Sequence, residues 1–227
     1  MLIWLLVCAI AIPLSTVTRF FDLTGMDVDV FGLTLHLTIY LPTLLCIPLV
    51  IWYGFFWAAV PAYLASFTVA LLGGMPLQWV MIFALSNPVG LAIYALFYRV
   101  SPLQTNMRDM TSVVGFVLIS LAASLASSAG SFIWTYTNQI GIHDAYVVWQ
   151  GWWLGEWLHC LLIIMPMLFL FNDKVTVWLA PVKAEEPIQK VTRSRLFMAV
   201  LAFMTVLISY VTRDLLKQRP LNFSLGQ

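Results

Sequence analysis

The stretch 111–137, TSVVGFVLISLAASLASSAGSFIWTYT, runs 27 residues without an Asp, Glu, Lys, Arg or His. As a helix it would rise roughly 40 Å at about 1.5 Å per residue, more than the roughly 30 Å hydrocarbon core of a bilayer. Its small residues fall at Ser120, Ser124 and Ser128, and again at Ala123, Ser127 and Ser131. That spacing makes two adjacent faces on which another helix can approach closely, the packing mode that works in lipid. A buried soluble helix would need polar residues elsewhere in the chain to cover the protein's surface.

Those residues are scarce. Of 227 residues, 62% are hydrophobic and 9% charged, with 11 Lys+Arg against 10 Asp+Glu. Soluble domains carry about a quarter charged residues, so the chain is expected to face lipid. A net charge of +1 gives no diffuse basic field, and no basic stripe or phosphate-binding loop occurs, which argues against nucleic acid as a partner. Cys8, Cys46 and Cys160 stand in apolar runs with no CxxC spacing and read as small buried hydrophobes.

Six further apolar runs emerge outward from this one: 1–17, 31–53, Phe55–Leu72, 75–98, 146–171 and 196–211. The reading is an all-α, polytopic transmembrane helix bundle of about seven helices in a single domain, 1–227. Pro42, Pro48, Pro61 and Pro166 are expected to kink their helices, and Asn87-Pro88 to kink the fourth. Lys174, Lys183, Lys190, Arg193 and Arg195 lie between the sixth and seventh runs, and Arg99 and Arg108 between the fourth and fifth. The positive-inside rule makes that side cytoplasmic. The opposite loops hold Asp22, Asp27, Asp29 and Asp144 with Arg19. Arg213, Lys217 and Arg219 then fall on the outer side, which suggests an eighth span beyond Gln227 or a first helix that does not fully cross.

Ionisable groups within the spans are the strongest functional signal, because a carboxylate at mid-bilayer costs a few kcal/mol and persists where it is partnered. Glu156 and His159 stand three residues apart in the sixth span, on one helical face. Glu156 is expected inside the bundle, partnered by His159, His36 or a backbone donor. His36 would lie about 8 Å into the second helix if that helix begins at Phe31. Three readings of this group remain open: a hydrogen-bonded Glu-His pair, a pocket for an organic ligand entered from the outer side, or a metal or haem site with His36, Glu156 and His159 as ligands. Asn87 is a further polar group, and Trp152 and Trp153 are candidate pocket walls. His143 and Asp144 read as a solvated loop pair. No hydrolase or transferase constellation is present, so the chain itself is not expected to be an enzyme.

The order of motifs resembles the first type of membrane-associated sensor domain, a bacterial multi-helix input module. The resemblance rests on Tyr40-Leu41-Pro42 through Trp52-Tyr53-Gly54, on Trp57-x-x-x-Pro61, on Asn87, and on Trp149-x-x-Trp152-Trp153-Leu154-Gly155-Glu156 with Pro166 ten residues on. The family usually has Asp where Glu156 stands, and a Gly near His159. The likeness implies a bacterial inner-membrane protein whose input module relays a signal to a cytoplasmic output domain, a cyclic-dinucleotide enzyme or a histidine kinase, with homodimerisation through that domain. The competing expectation is a small-molecule transporter or a substrate-binding membrane subunit, which Pro- and Gly-interrupted helices also suit.

Overall fold

The computed structural model describes residues 2–21, 26–30, 33–101 and 103–183, all within one compact unit, Met1–Glu186. The expected seventh span, 196–211, and the basic cluster from Lys190 onward lie outside the described residues.

Helices dominate. They are α1 (Leu2–Phe20), α2 (Leu41–Tyr53), α3 (Phe55–Leu72), α4 (Leu77–Phe83), α5 (Ser86–Val100), α6 (Met110–Ser127), α7 (Gly130–Thr137), α8 (Ile142–His159) and α9 (Met165–Lys183), the last two joined by a π-helical turn at Cys160–Ile164. Helices α4 with α5, α6 with α7, and α8 with α9 form interrupted rods, giving six helical rods among the described residues. Among the described residues, four segments are long and apolar enough to cross a membrane: Phe55–Leu72, Leu77–Val100, Met110–Thr137 and Ile142–Leu179.

The second expected helix is corrected at its start. Instead of a helix from Phe31, the chain forms an antiparallel hairpin of β1 (Met26–Val30) and β2 (Leu33–Leu37), with Val30 opposite Leu33 and Asp27 opposite His36. Leu33-Thr34-Leu35-His36-Leu37 alternates apolar and polar with period two, the strand pattern, although its mean hydropathy suits a helix. His36 is therefore a strand residue. Helix α2 starts only at Leu41, where Tyr40 is extended and Pro42 sits within the first turn. A proline at that place has no helical hydrogen bond to lose, so Pro42 opens the helix rather than kinking it.

The other breaks follow the same physics. Pro88 has no N–H to give the Ala84 carbonyl, and the rod parts into α4 and α5 one turn before it. The α6/α7 break meets this one: a Cβ on Gly130 would lie 2.7 Å from the Ser86 side chain, so glycine is what lets the two breaks touch. Pro166 is preceded by the π turn, whose wider loop, closed by the Met165 N–H on the Cys160 carbonyl, makes room for the ring. Helix α9 runs on to Lys183, past the expected end of the sixth span at Phe171, so that Asn172, Asp173 and Lys174 are helical. His143 and Asp144 also lie in a helix, the first turn of α8, where an acidic side chain suits the helix dipole.

The core gathers Cys46, Ile47, Val50, Ala58, Ala62, Leu91, Tyr94, Phe116, Ile119, Ala123, Cys160, Ile164 and Leu168. Helix α6 shows how sides are chosen: Ser112, Ser120, Ser124 and Ser127 are buried, whereas Leu118 is 60% exposed and Val114 50%. The buried face joins these small hydroxyl residues to Phe116 and Ile119, while Val114 and Leu118 face outward, so both faces of α6 carry large apolar side chains, as suits a helix between a protein core and lipid.

Candidate functional site

Glu156 reaches from the middle of α8 to α6, where the Ser127 hydroxyl donates a hydrogen bond to its Oε2. None of the expected partners is the one found. Ser127 also lies 3.2 Å from the Ser124 carbonyl. The two helices can share this bond because α6 presents its small-residue face at that level. Gly90 of α5 packs there too, since a Cβ on it would stand 3.0 Å from both the Ala123 carbonyl and the Ser127 Cβ.

On its other side Glu156 borders a pocket of about 10 Å3 lined by Tyr40, Pro42, Thr43, Cys46, Ala62, Asn87, Leu91 and Glu156. That is space for about one water molecule. The pocket lies where the first turn of α2 meets α3, α5 and α8. Its polar side chains are tied into a frame. Asn87 Nδ2 donates to Ser66 Oγ at 2.7 Å, Ser66 lies 3.4 Å from the Tyr40 hydroxyl, and the Thr43 hydroxyl donates to the Tyr40 carbonyl at 2.6 Å.

The extended segment that carries Tyr40 is held down on α8. Thr38 N–H donates to the Gly151 carbonyl at 3.2 Å, and a Cβ on Gly155 would overlap the Thr38 carbonyl and come within 2.9 Å of Thr38 N. The Gly151/Gly155 spacing thus seats an extended strand end instead of another helix.

Of the six sequence candidates, Glu156 and Asn87 meet at the pocket. Trp152 packs instead on a second apolar cluster, edge-on to Phe83 at 6.1 Å. Trp153 lies beside Trp149, their rings tilted and 6.3 Å apart, and its buried Nε1 has no hydrogen-bond partner among the described residues. His159 is 8% exposed and its Nδ1 is likewise unpartnered among them; it does not line the pocket. The side chain of His36 lies outside the described residues. No three His, Cys, Asp or Glu side chains gather as a metal site among the described residues.

Sequence reasoning missed Tyr40, Thr43, Ser66 and Ser127. Tyr40 stood in a quoted motif and Ser127 in the small-residue stripe, so the signal was present but read as turn and packing. Nearby, the Tyr94 hydroxyl and Cys160 Sγ pair at 3.2 Å, and Trp157 Nε1 donates to the Val117 carbonyl at 3.2 Å. At the far end of α6, Asp109 caps the helix by accepting from Ser112 N–H at 2.8 Å. The Ser112 hydrogen bonds, through its side chain and then its backbone, hold the Asp109 carboxyl below the usual carboxylate range. No family model, no curated protein and no solved structure matches the chain.

Proposed function

We propose that the chain is an integral-membrane sensory input module, in a bacterial inner membrane, that relays a ligand or membrane condition to a cytoplasmic output domain. The observation that carries this reading is Glu156: a carboxylate fixed between α8 and α6 within an apolar bundle, beside a small pocket and one turn before a π-helical irregularity. Support for the membrane setting is the exposed apolar side of α6, Val114 and Leu118, together with exposed Phe56, Leu162, Leu170 and Trp178 on other rods. A carboxylate in such surroundings is costly and is retained where it has work to do. Its hold on two rods gives a route by which a change at the pocket alters helix packing. The motif order from Tyr40 to Pro166 supports a sensor rather than a transporter, and a space of about 10 Å3 is small for an organic substrate.

The test is Glu156→Gln in the full-length protein. The variant should reach the membrane at wild-type level and respond differently to the stimulus, read as output-domain activity. Wild-type basal activity together with a wild-type stimulus response would overturn the assignment.

A further inference from the structure

We infer that α9 carries a binding site for one anionic phospholipid, whose headgroup phosphate is held by Lys174 and Trp178. The inference rests on the membrane setting proposed above and is independent of the sensory role.

The argument starts from how α9 is turned. Asn172 is buried and accepts a hydrogen bond from Trp52 Nε1, at the end of α2, at 3.1 Å. Asp173 pairs with Arg108, in the loop before α6. Two adjacent residues tied to two different parts of the bundle fix the rotation of the helix, and the buried Leu168 and Leu179 lie on the same side as Asn172. At about 100° per residue, Lys174 comes roughly 200° round from Asn172, on the opposite side. It is exposed. Around it lie Leu170, Phe171, Val177 and Trp178, all exposed as well. A lysine therefore stands at the centre of an apolar stripe turned toward lipid.

No acid answers that charge within the protein. Among the described residues Lys174 has no ion-pair or hydrogen-bond partner, and the acid beside it, Asp173, is taken by Arg108. A charge on a lipid-facing side is tolerated where it can reach the headgroups. The Arg108–Asp173 pair marks that level: its side chains are 60% and 48% exposed, and Arg108 stands just before the uncharged run 111–137. Lys174 follows Asp173 directly. Trp178 is four residues on, a neighbour on the same helical face. An ammonium and an indole N–H are donors without an acceptor between them, which suits phosphate oxygens. A zwitterionic headgroup brings its own ammonium, which Lys174 repels, whereas an anionic one leaves the attraction intact. Leu170 and Phe171, one turn deeper, give the acyl chains an apolar wall.

The experiment uses the 227-residue chain in nanodiscs of phosphatidylcholine with rising fractions of phosphatidylglycerol at constant ionic strength. A lipid bound to the folded state stabilises it by mass action, so the unfolding temperature should rise with phosphatidylglycerol and saturate. Lys174→Gln should move the midpoint of that rise to an at least about fivefold higher fraction, the worth of one basic residue near an anionic surface, with unfolding in pure phosphatidylcholine unchanged. Trp178→Leu should move it in the same direction by a smaller factor. Arg99→Gln removes the same charge from the last turn of α5 and should keep the wild-type midpoint, which separates a site from diffuse attraction of basic residues to the surface. Unfolding that ignores phosphatidylglycerol overturns the proposal. So does a wild-type midpoint in Lys174→Gln, or an equal shift in Lys174→Gln and Arg99→Gln. A chain that inserts and ignores phosphatidylglycerol loses this site alone; one that does not insert loses the membrane setting, and the site with it.

Discussion

Replacing Gly155 with Ala tests whether the strand end is truly seated on α8. The added Cβ would overlap the Thr38 carbonyl and approach Thr38 N to 2.9 Å. Both obstacles are backbone, so no rotamer change relieves them. The segment must lift, which breaks the Thr38 N–H bond to the Gly151 carbonyl, now 3.2 Å. Overpacking costs about 1–3 kcal/mol and the lost backbone bond about 1 kcal/mol, while alanine in place of glycine returns about 1 kcal/mol of helix propensity. The net loss is about 2 kcal/mol, or roughly 4–8 °C in unfolding temperature for a chain of this size. Gly141→Ala is the control, since its Cβ would meet nothing within 4 Å. Thermal unfolding in nanodiscs measures both. A Gly155→Ala protein that melts with the wild type would refute the seating and the pocket geometry drawn from it.

Three further outcomes are expected. Asp109→Ala should lower the unfolding temperature while Asp109→Asn, which keeps the cap, should not. The Asp109 carboxyl is depressed in the folded state, so its contribution is present above the unfolded value of about 4 and fades as the pH falls through the folded one; Asp109→Asn should lose that part of the acid sensitivity, read as unfolding temperature against pH. Trp52→Phe removes the 3.1 Å bond from Nε1 to Asn172 Oδ1, which should cost about 1 kcal/mol, measured as denaturant midpoint, against a wild-type value if that bond is idle. Single cysteines at Lys183 and Asp27, in a background lacking the native three, should label oppositely with an impermeant thiol reagent in intact cells, Asp27 reacting and Lys183 not; labelling at Lys183 would reverse the proposed orientation.

How far the sequence could be read depended on what each feature is made of. The Phe55–Leu72 rod matches its expected bounds because glycine punctuates both ends, and Gly54, at φ +95°, has a backbone conformation that other residues rarely take. Hydropathy failed at the start of 31–53, before α2, because an apolar run counts Leu33, Leu35 and Leu37 without asking whether they recur every second residue. Helix breaks were legible at Pro88 and Pro166, where a missing N–H forces the issue, but the α6/α7 break carries no proline. It depends on Gly130 meeting Ser86, a contact between residues 44 apart in the chain.

The partner of Glu156 was illegible for a related reason. Sequence spacing tells which residues share a face of one helix, so it paired Glu156 with His159, its neighbour on α8. A bond across a bundle depends also on the relative depth and rotation of two rods, set by how closely they pack. Gly90 fixes that closeness for α5 and α6, with no room for a Cβ against Ala123 and Ser127, and Gly155 fixes it for α8 and the strand end. The small residues are therefore more than filler between helices. Gly90 and Ser127 occupy the same level of the bundle, so the contact that lets α5 approach α6 also holds the hydroxyl that grips Glu156. Gly155, one residue before Glu156, brings in the segment carrying Tyr40. Packing and polar chemistry share the same positions, and for that reason a stripe of Ser, Ala and Gly read as a packing face was also the signature of the site.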